Sequence, residues 1–261
     1  MCEARLRILH LTDLHMRSAL PGTAAQPERK SRDIARHLET LARRLQHWRP
    51  DVVVITGDLL DVPDNVVDES LADKDPEGFR SSVELATLDY QWMRGWLGST
   101  GVPWVVIPGN HDHRGAFTGV FGTVSPDVIH CGWRFIGFDD ILDARRAPVR
   151  PQAACARFAA ALASTASAEP QVHLQHYLLR PRIHRRTPYS YAPEAGLAAR
   201  VSRSATVKAA LSGHFHPGAF TQDLSGTVFS TAPAFCEAPF PFRLLELTTD
   251  GGANISDQSL Q

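Results

Sequence analysis

Cysteine is scarce in this sequence and scattered where it occurs. Cys2, Cys131, Cys155 and Cys236 are the only four in 261 residues, and no two form a Cys-x-x-Cys pair. That argues against a disulfide framework and against a zinc site built on paired thiolates. Free thiols in a reducing compartment are expected. Net charge is nearly absent as well: 27 Lys and Arg stand against 28 Asp and Glu. No global field draws such a chain to nucleic acid or to acidic lipid, so nucleic acid is a disfavoured partner unless a local patch recruits it. Long hydrophobic runs are also missing. The first apolar stretch, residues 6–11, is too short for a signal-peptide core or a membrane span, and no later one is long enough. A cytoplasmic protein with no membrane partner is expected, and nothing in the composition bears on oligomeric state.

What is present is an ordinary globular composition, 43% hydrophobic and 21% charged, on a chain long enough to bury one core. Residues 7–11 read as a buried strand running into Thr12-Asp13-Leu14-His15. Over residues 28–48, Ile34, Leu38, Leu41, Leu45 and Trp48 recur at helical spacing, which predicts an amphipathic helix with a basic outer face. Val52-Val53-Val54-Ile55 is a continuous apolar run, as in a strand covered on both faces, and leads to Gly57-Asp58. Residues 61–78 are acidic and aperiodic, which predicts a surface insertion. A helix is expected over 79–97, with Leu85, Leu88, Trp92 and Trp96 on its buried face. Residues 104–107 form a third strand before Pro108-Gly109-Asn110-His111-Asp112.

Further strands are expected over 127–131, 133–138, 172–175, 207–211, 227–230 and 242–247, and helices over 151–164 and 192–202. Strands alternating with helices early, and mostly strands later, predict a layered α/β (α+β) domain. There is no internal repeat and no low-complexity linker, so residues 1–261 read as a single domain.

Five strand-like segments each end in a polar cluster: Asp13-Leu14-His15, Gly57-Asp58, Gly109-Asn110-His111-Asp112, His176, and Gly213-His214-Phe215-His216. In α/β sheets, sites form beyond the carboxyl ends of strands, so residues distant in sequence converge there. Carboxylate, amide oxygen and imidazole suit divalent first-row metals such as Mn, Fe or Zn. Asp13, His15, Asp58, Asn110, His176, His214 and His216 are seven candidate ligands. One tetrahedral ion takes four, whereas two ions sharing a carboxylate would use all seven. Each cluster alone reads more simply as a turn or a core histidine; the five in order do not.

This pattern resembles the calcineurin-like metallophosphoesterase superfamily, whose blocks are Asp-x-His, Gly-Asp, Gly-Asn-His-Asp/Glu, an isolated His and Gly-His-x-His. The match runs from residue 13 to residue 216. The resemblance implies a central mixed β-sandwich flanked by helices, with the site at one edge. It implies one divalent ion on Asp13, His15, Asp58 and His216, and a second on Asp58, Asn110, His176 and His214. Asp58 would bridge. His111 would stand near the leaving group as the catalytic proton donor or charge stabiliser, with Asp112 orienting it. The implied reaction is phosphate-ester hydrolysis in which paired ions lower the pKa of a water.

The substrate is less legible. Arg180, Arg182 and His184 follow His176 closely and are candidate substrate-binding residues, with a solvated basic loop as the alternative. Tyr189 and Tyr191 read as base-stacking or packing residues. Within the acidic segment, Asp61 stands out because it follows Asp58 so closely. Size and layout are similar to the bacterial cyclic-nucleotide phosphodiesterases, but His176 is followed here by Tyr177-Leu178-Leu179, where those relatives often carry further His and Pro. The expectation is therefore a phosphodiesterase of a small nucleotide or related diester. A phosphomonoesterase or protein phosphatase, a nuclease, and a non-catalytic scaffold of the same fold are the alternatives. The filled ligand set weighs against the scaffold.

Overall fold

The structure is a computed structural model that describes residues 5–163, 169–183, 189–192 and 196–261. Two sheets pack face to face. The first has strand order β13-β12-β1-β2-β3, from β1 (Arg5–Leu11), β2 (Val52–Thr56), β3 (Trp104–Ile107), β12 (Pro241–Thr248) and β13 (Ala253–Ser259). The second has order β10-β11-β9-β8-β5-β4, from β4 (Asp127–His130), β5 (Trp133–Gly137), β8 (Gln171–Leu174), β9 (Val207–Ser212), β10 (Ala219–Gln222) and β11 (Val228–Thr231). Each sheet has a parallel centre: β1, β2 and β3 in one, and β5, β8, β9 and β11 in the other. Antiparallel strands edge both. A short ribbon pairs β6 (Ile141–Leu142) with β7 (Pro148–Val149).

Strand alternation builds the layers. On β2, Val52 and Val54 face the second sheet, where they meet Trp133, Phe135, Val172 and Leu211 in the sandwich core. Val53 and Ile55 face the other way, into a core with Leu38, Leu41, Tyr90 and Met93. These come from α1 (Ile34–Trp48) and α3 (Pro76–Ser99). All five residues of β2 are buried, which is why residues 52–55 are a continuous apolar run. The second sheet is covered on its outer face by Phe158 of α5 (Gln152–Leu162) and Val201 of α6 (Leu197–Ser202). The result is a mixed β-sandwich between helical layers, as expected.

Several local expectations need correction. The first helix begins at Ile34, not at residue 28. Residues 61–78 are not simply a surface insertion. Asp61, Val62 and Val66 are buried, residues 64–67 form the short helix α2 (Asp64–Val67), and Pro76 already opens α3. Leu88 is 53% exposed, and its neighbour Asp89 is buried instead. The reason is electrostatic. The Asp89 carboxylate accepts the backbone N–H groups of Ser18, Ala19 and Leu20 at 3.0, 2.6 and 3.1 Å. A loop that must hold its own amides away from water outweighs one more leucine in the core. The helix α4 (Arg114–Phe121), the strands β10 and β13 and the β6–β7 ribbon have no counterpart in the sequence periodicity.

Candidate metal centre

The parallel strands β1, β2, β3, β8 and β9 all point their carboxyl ends to one rim of the sandwich, and the five polar clusters meet there. Backbone hydrogen bonds lace the loops together: Asp13 N–H to Gly57 C=O at 3.1 Å, His15 N–H to Asp58 C=O at 2.9 Å, and Gly213 N–H to His176 C=O at 2.8 Å. The loops are conformationally unusual. Asp13, His15, Asp58 and His214 have φ of 51°, 45°, 50° and 67°. Left-handed backbone at non-glycine residues costs roughly 1–3 kcal/mol each and clusters where geometry matters more than stability. Gly109 is required for a different reason. A Cβ there would collide with Asp58 Oδ1 and with the backbone nitrogen of Asp58.

All seven candidate ligands lie in this cluster. Asp58 Oδ2 is 3.5 Å from His15 Nε2 and 3.4 Å from His176 Nε2. On one side, Asp13 Oδ1 lies 3.9 Å from His15 Nε2 and 3.6 Å from His216 Nε2. On the other, His176 Nε2 is 3.2 Å from Asn110 Oδ1, and the His176 and His214 ring centres are 5.1 Å apart. Asp13, His15, Asp58 and His176 are buried. Asp13 Oδ1 and His15 Nε2 are inaccessible to water and have no hydrogen-bond partner. Orphaned buried polar atoms converging from carboxylate and imidazole fit a cation. Candidate ligand triads include Asp13, His15 and Asp58, and Asp58, His176 and His214.

Electrostatics agree. Burial alone would raise Asp58, but His176, His111 and His15 hold it well below the usual carboxylate range. Burial would depress His176, yet the carboxylates of Asp58 and Asp13 lift it to about 9. The carboxylates demand a neighbouring positive charge, which a cation held at this centre would supply in place of a proton on His176. His15 and His214 are pushed down by burial to about 4 and about 3, so both present neutral imidazoles.

His111 reaches this centre through its own backbone, whose N–H donates to Asp58 Oδ1 at 2.8 Å. The expectation that Asp112 orients His111 is corrected. Asp112 Oδ2 accepts from Leu59 N–H at 3.1 Å and Gly109 N–H at 2.8 Å. Its Oδ1 accepts from Leu60 N–H at 3.0 Å and the Tyr90 hydroxyl at 2.8 Å. Asp112 is a buried staple between two site loops. The carboxylate facing His111 is Asp61, 3.4 Å from its Nδ1 and 3.3 Å from His15 Nδ1. Asp61 is itself gripped by Arg17 at 2.7 Å and by Arg29 at 3.3 Å.

The centre opens into a cleft of about 490 Å³ whose lining includes Asp58, Asn110, His111, Arg29, Arg146 and Tyr189. Arg180 and Arg182 are not there. They line a separate cleft of about 260 Å³, and the Arg180 guanidinium lies over Phe229. His184 lies outside the described residues. Among the described residues, the arginines lining this cleft are Arg29 and Arg146, from loops that no motif marks. Glu237 is likewise unmarked in the sequence; its Oε1 is 2.5 Å from His216 Nδ1 and so turns Nε2 of that ring inward.

The sequence profile of a family described as calcineurin-like phosphoesterases matches residues 6–218. The chain belongs to that family. It is a metal-dependent phosphoester hydrolase, and the family uses a dinuclear divalent-metal centre. No curated protein sequence matches this phosphoesterase significantly. Its fold is similar to a dimetal phosphatase from Danio rerio, with a TM-score of 0.66 at 13% identity over 99% of this chain and 100% of that one. It is also similar to the purple acid phosphatase PPD1 of yellow lupin (TM-score 0.59, 13% identity), covering 98% of this chain and 52% of that one. GAP50, the anchor in the inner membrane complex of Plasmodium, has the same TM-score, 0.59, at 11% identity, over 98% of this chain and 85% of that one. Identities this low carry the fold alone. Among the described residues no helix is long and apolar enough to cross a membrane.

Proposed function

We propose that this phosphoesterase is a dinuclear phosphodiesterase of a small nucleotide or related diester. In this reading Asp13, His15, Asp58 and His216 hold one divalent ion, and Asp58, Asn110, His176 and His214 hold the other. The observation that carries it is the position of Asp58 Oδ2, nearly equidistant from His15 Nε2 and His176 Nε2 at 3.5 and 3.4 Å. One carboxylate between two ligand sets is what a bridged pair needs. When bound, paired ions neutralise phosphoryl oxygens and activate a water near neutral pH.

The remaining work falls to the chain. His111 lines the cleft and neutralises charge developing on the leaving oxygen. Asp61 fixes the orientation of the His111 ring. Arg29 and Arg146 bring positive charge to the cleft wall for the anionic substrate. Diester preference is supported by the shape of the cleft. A second hollow of about 400 Å³ adjoins it, and Gln26, Arg29, Asp64 and His111 line both. Space on both sides of His111 suits a phosphate with two organic arms. The same reading takes residues 1–261 as one catalytic domain working in the cytoplasm.

The test is a panel of aryl mono- and diesters, cyclic nucleotides and single-stranded DNA, each with Mn²⁺. A kcat/KM for the aryl diester at least tenfold above the monoester is expected. Equal or better turnover of the monoester overturns the diester assignment. No hydrolysis with any divalent ion leaves only a scaffold.

A further inference from the structure

The segment following the last metal-site motif returns to the centre and brings a sulfur with it. Ala234 N–H donates to His216 C=O at 2.9 Å, Phe235 N–H to Thr12 C=O at 3.0 Å, and Cys236 N–H to Asp13 C=O at 3.1 Å. Lys30 N–H closes the other side on Cys236 C=O at 2.8 Å. This clamp holds Cys236 fully buried. Its Sγ and one nitrogen each from His15 and His216 all lie within 4.8 Å of one another. Two further observations point these atoms at a shared ligand. Glu237 occupies His216 Nδ1, which leaves Nε2 facing Asp13 at 3.6 Å. His15 Nε2 and Asp13 Oδ1 are buried without hydrogen-bond partners.

We propose that Cys236 is a further ligand, as thiolate, of the ion held by Asp13, His15 and His216, and that it biases this position toward a soft ion such as Zn²⁺ over Mn²⁺. The proposal rests on the dinuclear reading above. Usual metal–sulfur and metal–nitrogen lengths hold neighbouring ligand atoms of a tetrahedral ion about 3.6 Å apart. The cluster therefore closes by no more than about 1.2 Å on binding. On binding, the Sγ–H bond breaks, an Sγ–metal bond forms and the proton leaves to solvent. Thiolate ligands favour Zn and Fe, whereas carboxylate, carbonyl and water ligands suit Mn and Mg. The opposite half of the centre, with Asp58, Asn110, His176 and His214, has no sulfur among its candidate ligands and is the harder site. The two positions would then differ in the ions they retain. The competing account is that Cys236 is only a small packing residue at the edge of the apolar core.

Cobalt substitution separates these accounts without relying on turnover. Metal-stripped protein is loaded with Co²⁺, and metal content and absorption are read together. Two Co²⁺ per chain and a near-ultraviolet thiolate-to-cobalt charge-transfer band are expected. In Cys236→Ser the band disappears. The band remains undiminished in Cys2→Ser/Cys131→Ser/Cys155→Ser, which leaves Cys236 untouched and so decides between the accounts even if Cys236→Ser folds poorly. Two bound Co²⁺ without the band overturn the proposal, as does loss of the band in the triple variant. Fewer than two Co²⁺ per chain overturns the dinuclear reading and this proposal with it, and the stoichiometry shows which failed. In a Zn²⁺/Mn²⁺ competition, Cys236→Ser is expected to lower the retained Zn:Mn ratio at least tenfold; an unchanged ratio contradicts the claimed bias.

Discussion

Oδ1 of Asp61 lies 3.4 Å from Nδ1 of His111. The same oxygen is 3.3 Å from Nδ1 of His15, so one carboxylate orients both a proposed ligand and the proposed proton donor. Burial would raise Asp61, but His15, Arg17 and His111 hold it at about 2, and it stays charged at any working pH. Asp61→Asn keeps the shape and removes the charge. Outer-shell carboxylates of this type are worth about 10–100-fold in activity or metal affinity. Turnover per bound metal is expected to fall in that range with KM little changed. Full activity per metal would mean that Asp61 only neutralises Arg17 and Arg29.

Asp112 makes the opposite prediction. Its four hydrogen bonds tie Leu59, Leu60, Gly109 and Tyr90 together in a fully buried spot. Asp112→Ala leaves three amides and a hydroxyl unpaired, which costs roughly 3 kcal/mol or more by the usual penalties. A urea midpoint measures this directly. Were stability unchanged while turnover collapsed, Asp112 would have to act on His111 after all.

Gly109→Ala tests how tightly the loops are fitted. The added Cβ meets Asp58 Oδ1 and its backbone nitrogen, neither of which can retreat without moving the proposed bridge. Metal content after dialysis is expected to drop below one ion per chain. Retention of two ions would show that the bridge tolerates displacement.

Two fully buried histidines outside the ligand set, His10 and His173, contribute to acid sensitivity. Burial, with Arg243 beside His10 and Arg150 beside His173, holds both at about 3. In the unfolded chain each titrates at about 6.5. Between those values the unfolded state binds more protons, so stability is full above pH 6.5 and is lost as pH falls, by about 1.4 kcal/mol per unit for each histidine. His173→Gln removes one contribution. The loss of stability between pH 7 and pH 5 is expected to shrink by about 2 kcal/mol relative to the parent. An identical loss in both proteins would mean that His173 is protonated in the folded state.

The fold and the ligand cluster are legible in the sequence because both rest on local patterns. Continuous apolar runs such as residues 52–55 mark strands covered on both faces, and a polar cluster after each marks the carboxyl rim. Less of the surroundings can be read. Asp61 is marked in the sequence only by its closeness to Asp58, and its partners, the Arg17 and Arg29 guanidiniums, come from a loop of irregular backbone. Cys236 and Glu237 carry no motif, and they reach the site only because backbone hydrogen bonds draw 234–236 onto residues 12, 13 and 216. Leu88 departs from its expected face because the amides of residues 18–20 need Asp89 more than the core needs a leucine. Arg180 and Arg182 follow His176 in sequence, but the chain carries them to another cleft. Sequence adjacency does not survive a loop that leaves the rim.

If Asp58 bridges two ions, the metal stoichiometry of Asp58→Asn must differ from that of His15→Ala and Asn110→Ala. The parent is expected to hold two divalent ions per chain after gel filtration, each of the two alanine variants to lose mainly one, and Asp58→Asn to lose both together with hydrolysis of an aryl phosphodiester. An Asp58→Asn protein that folds normally and still retains two ions would contradict the account.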